Sequence, residues 1–242
     1  MSTNIQDFAG DIQVRGTTFI KANSNGNNIA IGTNAGSTVQ GTNTVAVGAE
    51  AGKVGQNNNA VAVGTLAGCS GQGQYAVAVG RGAGEVGQLP NAVAIGRIAG
   101  SNAQGNQSIA IGYFAGCAGQ GTNSTAIGRE AGLNAQGISS VAVGRGAGCV
   151  SQGQYCTAVG HQAGSGAQGS NATAIGLQAG ETAQAANGIA VGAQAGETAQ
   201  NNNAVAVGTL AGANGQGVYA VALGREAGQN FQNLNAIAIG TL

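Results

Sequence analysis

The chain has 242 residues, 47 of them Gly, with one Pro, no Trp and eight acidic residues balanced by eight basic ones. Only 7% of it is charged, against about a quarter in an ordinary soluble domain, so a basic nucleic-acid-binding face is excluded. Its apolar content of 43% is too high for a disordered low-complexity chain, and its Gly residues follow no collagen period.

Residues 1–26 come first and stand apart. Met1 to Asp7 has neither a charged n-region nor an apolar h-region, so no classical signal peptide is expected. No apolar run in the chain nears the roughly 18 residues of a membrane span, and membrane insertion is not expected. Asp11-Ile12-Gln13-Val14-Arg15-Gly16 alternates as a strand does, but out of phase with everything that follows. This segment reads as an irregular cap or docking piece over the first turn of a repeat domain.

From Asn27 to Leu242 one motif recurs every 16 residues without insertion or deletion. Numbering the motif 1–16 from Asn27, position 4 is Ala in every copy: Ala30, Ala46, Ala62, Ala78, Ala94, Ala110, Ala126, Ala142, Ala158, Ala174, Ala190, Ala206, Ala222 and Ala238. Position 6 is always Gly, and positions 9 and 10 are always Ala-Gly in the complete copies. Position 14 is always Gln: Gln40, Gln56, Gln72, Gln88, Gln104, Gln120, Gln136, Gln152, Gln168, Gln184, Gln200, Gln216 and Gln232. Positions 3 and 5 hold Val, Ile, Leu or Thr, as in Val61 and Val63. Alternation of this kind is a period-2 strand signal, and β-branched residues between glycines make poor helix. The fold class is therefore an all-β parallel β-solenoid, one rung per 16 residues, with about 13.5 rungs stacked some 4.8 Å apart.

Within this frame positions 3 and 5 are expected to point inward and the Ala of position 4 outward. That reading makes the Ala column a flat strip of roughly 650 Å², larger than a soluble monomer normally exposes, and hence a lateral interface between chains. The Gln column is expected to form a ladder of amide–amide hydrogen bonds from rung to rung. Ile5, Phe8, Ile12 and Val14 are expected to dock on the open last rung of another copy, at Ile237, Ile239 and Leu242, adding a strand head-to-tail.

Catalytic groups are scarce. His161 is the one His, and Asp occurs only at positions 7 and 11 of the chain, which leaves no triad and no metal centre. No enzyme activity and no cofactor are expected. Cys69, Cys117 and Cys149 share position 11; Cys117 and Cys149 lie two rungs apart, about 9.6 Å, too far for a disulfide, so free thiols are expected. Arg81, Arg97, Arg129, Arg145 and Arg225 share position 7 and read as a solvated corner. Tyr75, Tyr155 and Tyr219 share position 1, four or five rungs apart.

The runs Asn59-Ala60-Val61-Ala62-Val63-Gly64, Asn203-Ala204-Val205-Ala206-Val207-Gly208 and Asn91-Ala92-Val93-Ala94-Ile95-Gly96 resemble the head repeat of trimeric autotransporter adhesins, the YadA-like heads. Similar repeats occur in viral and phage fibre proteins. The resemblance implies a left-handed β-roll, three chains side by side, and binding to a host-surface or matrix receptor. Its repeat is shorter, and the Ala-Gly-x-x-x-Gln half of this motif is not part of it.

Taken with the repeat, these features give a structural protein that assembles with itself, as a filament or a trimer. The alternatives are an adhesin-type head and an ice-binding solenoid. Its place is extracellular, at a cell surface or a virion surface.

Overall fold

The computed structural model describes residues 12–14, 17–22 and 27–241. It is an all-β parallel solenoid of about 13 turns with rungs of about 16 residues. Every strand of the repeat pairs with its equivalent one rung away. Thr125, Ala126 and Ile127 face Val141, Ala142 and Val143, which in turn face Thr157, Ala158 and Val159.

Two walls result. Positions 3–5 form the main sheet, from Ile29–Ile31 to Ile237–Ile239. Positions 12–14 form the opposite wall, in a two-stranded piece (Thr38–Gln40 and Val54–Gln56) and a nine-stranded piece (Asn102–Gln104 to Asn230–Gln232). Isolated bridges through Ser70 and Val86 join the pieces. The hydrogen bonds repeat with the motif: Thr125 N–H donates to Ser140 O at 2.9 Å and Gly144 N–H to Ile127 O at 2.8 Å.

Such short strands need tight corners, and the chain makes them with left-handed backbone. Asn at position 1 takes φ near +58° in rung after rung, as at Asn91, Asn123 and Asn203, the conformation its short polar side chain tolerates best.

The interior inverts the expected facing. Ala62, Ala78, Ala94, Ala110, Ala126 and their equivalents at position 4 are fully buried, together with Ala51, Ala67 and Ala83 of position 9. Positions 3 and 5 lie half-buried to exposed on the outer face, Ile95 at 39% and Leu223 at 45%. The reason is width. A Cβ built on Gly132 at position 10 would lie 3.2 Å from the Ala126 methyl, so the two walls leave room for one methyl and no more. The Ala column is therefore core and cannot be a lateral interface.

The Gln side chains cross this narrow interior as struts. Gln136 Nε2 donates to Thr125 O at 2.8 Å and to Ser140 O at 3.3 Å, tying position 14 to the opposite wall. Amide–amide bonds between rungs occur in runs: Gln72 to Gln88 to Gln104, Gln120 to Gln136, and Gln152 through Gln168, Gln184 and Gln200 to Gln216, at 2.9–3.2 Å. The runs stop at Gln56, Gln104, Gln136 and Gln216, whose amide nitrogens donate to main-chain carbonyls alone. The next oxygen along, as at Gln72, Gln120, Gln152 and Gln232, then has no partner. Changing Gln184 to Met keeps the length but removes donation to Thr173 O, Gly188 O and Gln200 Oε1, at 2.7, 3.0 and 2.9 Å. Stranding buried carbonyls costs about 1–3 kcal/mol each, so the variant should melt well below the parent in a circular dichroism scan.

At the start of the chain, β1 (Ile12–Val14) pairs antiparallel with β2 (Thr17–Ala22), and β2 pairs antiparallel with β3 (Ile29–Ile31), the first rung. The strand holding Ile12 and Val14 is thus one arm of a hairpin on its own chain's first rung. Ile5, Phe8 and Leu242 lie outside the described residues. Ile237 and Ile239 belong to the last strand of the main sheet and are 71% and 72% exposed.

Candidate interaction surface

The outer face of the main sheet is a continuous feature that the rod offers a partner. Columns 3 and 5 run side by side along it, from Ile29 and Ile31 through Val45 and Val47 to Val221 and Leu223. Every residue in them is Val, Ile, Leu or Thr, with no charge among them. In-register stacking turns these into two straight, parallel apolar ridges about 60 Å long. A continuous apolar strip of this length marks an interaction site, because single chains in water rarely leave one uncovered. Sequence reading found the strip-forming strand but assigned the strip to the wrong side of it.

The strip's two edges differ in chemistry. Position 7 lies along one, where Arg81, Arg97, Tyr113, Arg129, Arg145 and His161 occupy six successive rungs, all exposed. Hydrogen bonds hold this corner in register: Ile98 N–H donates to Arg81 O at 2.9 Å, Phe114 N–H to Arg97 O at 3.1 Å and Glu130 N–H to Tyr113 O at 2.8 Å. The guanidinium carbons of Arg97 and Arg129 sit 5.4 and 5.9 Å from the Tyr113 ring centroid, a stacked trio across three rungs. Tyr113 also meets Phe114 edge-on at 4.5 Å. Arg129 pairs with Glu130 at 3.1 Å and Arg225 with Glu226 at 2.9 Å. Position 1 lies along the other edge, where Asn alternates with the exposed rings of Tyr75, Tyr155 and Tyr219.

No group of three or more His, Cys, Asp or Glu side chains that could hold a metal ion comes together among the described residues. His161 stands at the position-7 corner beside a groove of about 400 Å³ lined by Glu130, Arg145, Cys149 and Ser165. The four cysteines are free. Burial pushes the thiols of Cys69, Cys149 and Cys156 up, away from the reactive thiolate. Cys156 donates its proton to Gly169 O at 2.9 Å, filling the place that Ser108, Ser124 and Ser140 take in rungs six to eight.

Comparison with known proteins agrees with this geometry. The family model described as YadA head domain repeat (2 copies) matches residues 90–115, 120–147 and 199–227. No curated protein and no solved structure matches the chain. The matched stretches each contain the position 3–5 strand and its flanking corners, the elements that build the apolar strip. On this ground these three stretches of the solenoid are similar to YadA head repeats.

Proposed function

We propose that this chain is a non-enzymatic, surface-displayed head of the adhesin type, which assembles as a homotrimer and presents its outer corners to a receptor. The observation that carries this reading is the strip of columns 3 and 5 in a chain of which three stretches match the YadA head repeat. YadA heads form homotrimers in trimeric autotransporter adhesins and are exposed at the cell surface. Three identical strips converging on an axis parallel to the rod bury one another, and no other chain is needed. The corners at positions 8 and 11, which hold every acidic residue of the repeat, remain available to a receptor.

Sedimentation of the purified chain tests the assembly. A single species three times the mass of the chain is expected, and a monomer or an open-ended filament overturns the homotrimer. Val143 gives a second test. It is half-buried at position 5, so changing it to Asp should cost the single rod only about 1 kcal/mol while placing three carboxylates together at the axis. The variant is expected to keep its β signal in circular dichroism and to sediment as a monomer.

A further inference from the structure

We propose that Tyr75, Tyr155 and Tyr219 are contacts between subunits that lock the register of the assembly. Each stacks on the position-7 side chain of the same rung in a second copy of the chain: Arg81, His161 and Arg225 respectively. The proposal rests on the homotrimer reading above and adds to it a specific recognition device.

The first observation is strain without return. The three rings are 55%, 60% and 58% exposed, and no ring contact joins any of them to its own chain among the described residues. Yet their backbones sit at φ +59°, +59° and +58°, in the left-handed region. Asn, the usual residue of this column, enters that region readily, whereas a bulky aromatic does so at a cost.

The second observation is which rungs carry them. Each tyrosine shares its rung with an Arg or His at position 7. The rungs with Thr33, Ala49, Thr65, Leu177, Ala193 or Thr209 at that position have no tyrosine at position 1. Arg97, Arg129 and Arg145 stand in rungs that also lack one; the first two already stack on Tyr113 within the chain, which shows that this corner supports Arg–aromatic pairing. Arg81 makes no ion pair among the described residues, and Arg225 pairs with Glu226 at 2.9 Å.

Geometry then names the partner. Positions 1 and 7 border opposite edges of the apolar strip, separated by a three-residue strand of about 10 Å and its corners, so they cannot meet within one chain. Around a three-fold axis parallel to the rod, the position-1 edge of one copy meets the position-7 edge of the next. Rotation without translation keeps every rung at its own height, so the facing residue belongs to the same rung. Columns 3 and 5 alone cannot fix that height, because they look nearly alike every 4.8 Å or so. The tyrosines can: they stand five and four rungs apart, and only zero shift satisfies all three pairs.

Two measurements on the full chain test this. With p-benzoylphenylalanine incorporated at Tyr75, irradiation should give covalently joined chains whose link maps to the position-7 corner of rung four, around Arg81. In the triple variant Tyr75→Asn, Tyr155→Asn, Tyr219→Asn, the rod should melt no lower than the parent, because strain is relieved. Subunit exchange between labelled and unlabelled assemblies should quicken roughly ten-fold or more. If the parent chain is a monomer, the homotrimer reading fails and this proposal fails with it. If the parent is a trimer but the links map to another rung, or exchange is unchanged in the variant, the tyrosine lock alone is wrong.

Discussion

Ala126→Glu should destroy the folding of the rungs around it, with a fall in stability of more than about 5 kcal/mol. The Ala126 methyl is fully buried and faces the bare backbone of Gly132 across an interior one methyl wide. A longer side chain must spread the two walls, and overpacking of this sort alone costs about 1–3 kcal/mol. The carboxylate then finds no donor. Both amide protons of the neighbouring Gln136 already go to Thr125 O and Ser140 O. An unpaired charge in a dry interior adds several kcal/mol more. Circular dichroism melting and hydrogen exchange report the result: protection should vanish in rungs six to eight. A variant that melts like the parent would mean that position 4 faces outward after all. The contrast with Val143→Asp is sharp, since neighbouring columns of one strand answer the same kind of charge in opposite ways, one by unfolding and the other by dissociation.

Gly128→Ala is expected to cost about 3 kcal/mol or more, although it adds a single methyl. Gly128 at position 6 has φ +126°, a conformation open in practice only to glycine. A Cβ there would also lie 2.7 Å from the carbonyl oxygen of Gly144 and 2.8 Å from its carbonyl carbon, one rung along. Those atoms are backbone and cannot swing aside. Relief requires the rungs to separate, which breaks the bond from Gly144 N–H to Ile127 O at 2.8 Å. The melting midpoint should fall by on the order of 10 °C. Ile138→Ala at the end of the same rung, at a side chain 42% exposed, should shift it little. Equal shifts for the two variants would remove the steric argument.

The contrast between these two sites also marks what could be read from the residues. A fixed 16-residue period with Gly at position 6 leaves few architectures open, and the parallel in-register stack follows from it. The facing of the strand did not follow. Alternation allows either Val63 or Ala62 inside, and the usual preference for burying the larger residue pointed to Val63. Interior width decides instead, and width depends on how close Gly132 and its equivalents let the walls approach. A signal for this was present: position 4 is Ala in every rung, while positions 3 and 5 vary among Val, Ile, Leu and Thr. A site with room for one methyl tolerates one side chain. A half-exposed ridge accepts several, including Thr125, Thr157 and Thr173. The Gln struts were harder to foresee, since a ladder along the column explains the residue equally well. That the amide first serves Thr125 O on the opposite wall depends on a distance no sequence states. The position-1 tyrosines were too far apart to act on one another, and their relation to position 7 becomes visible only when both are seen to border one strip.

An interior of methyls, glycine backbone and amides has a thermal consequence. The heat capacity gained on unfolding rises with apolar surface newly wetted and falls with polar surface, by about +0.45 and −0.26 cal/mol/K per Å². Most proteins hide Leu, Ile and Phe, but in this rod the large aliphatic side chains stand on the outer face, and what each rung hides is Ala, Gln and hydrogen-bonded main chain. Per residue, opening a single rod therefore changes the heat capacity by less than the usual 12–15 cal/mol/K. A small heat-capacity change flattens the curve of stability against temperature. Such a rod loses little on cooling and little on moderate warming, because its cohesion owes more to hydrogen bonds than to the temperature-sensitive ordering of water around hydrocarbon.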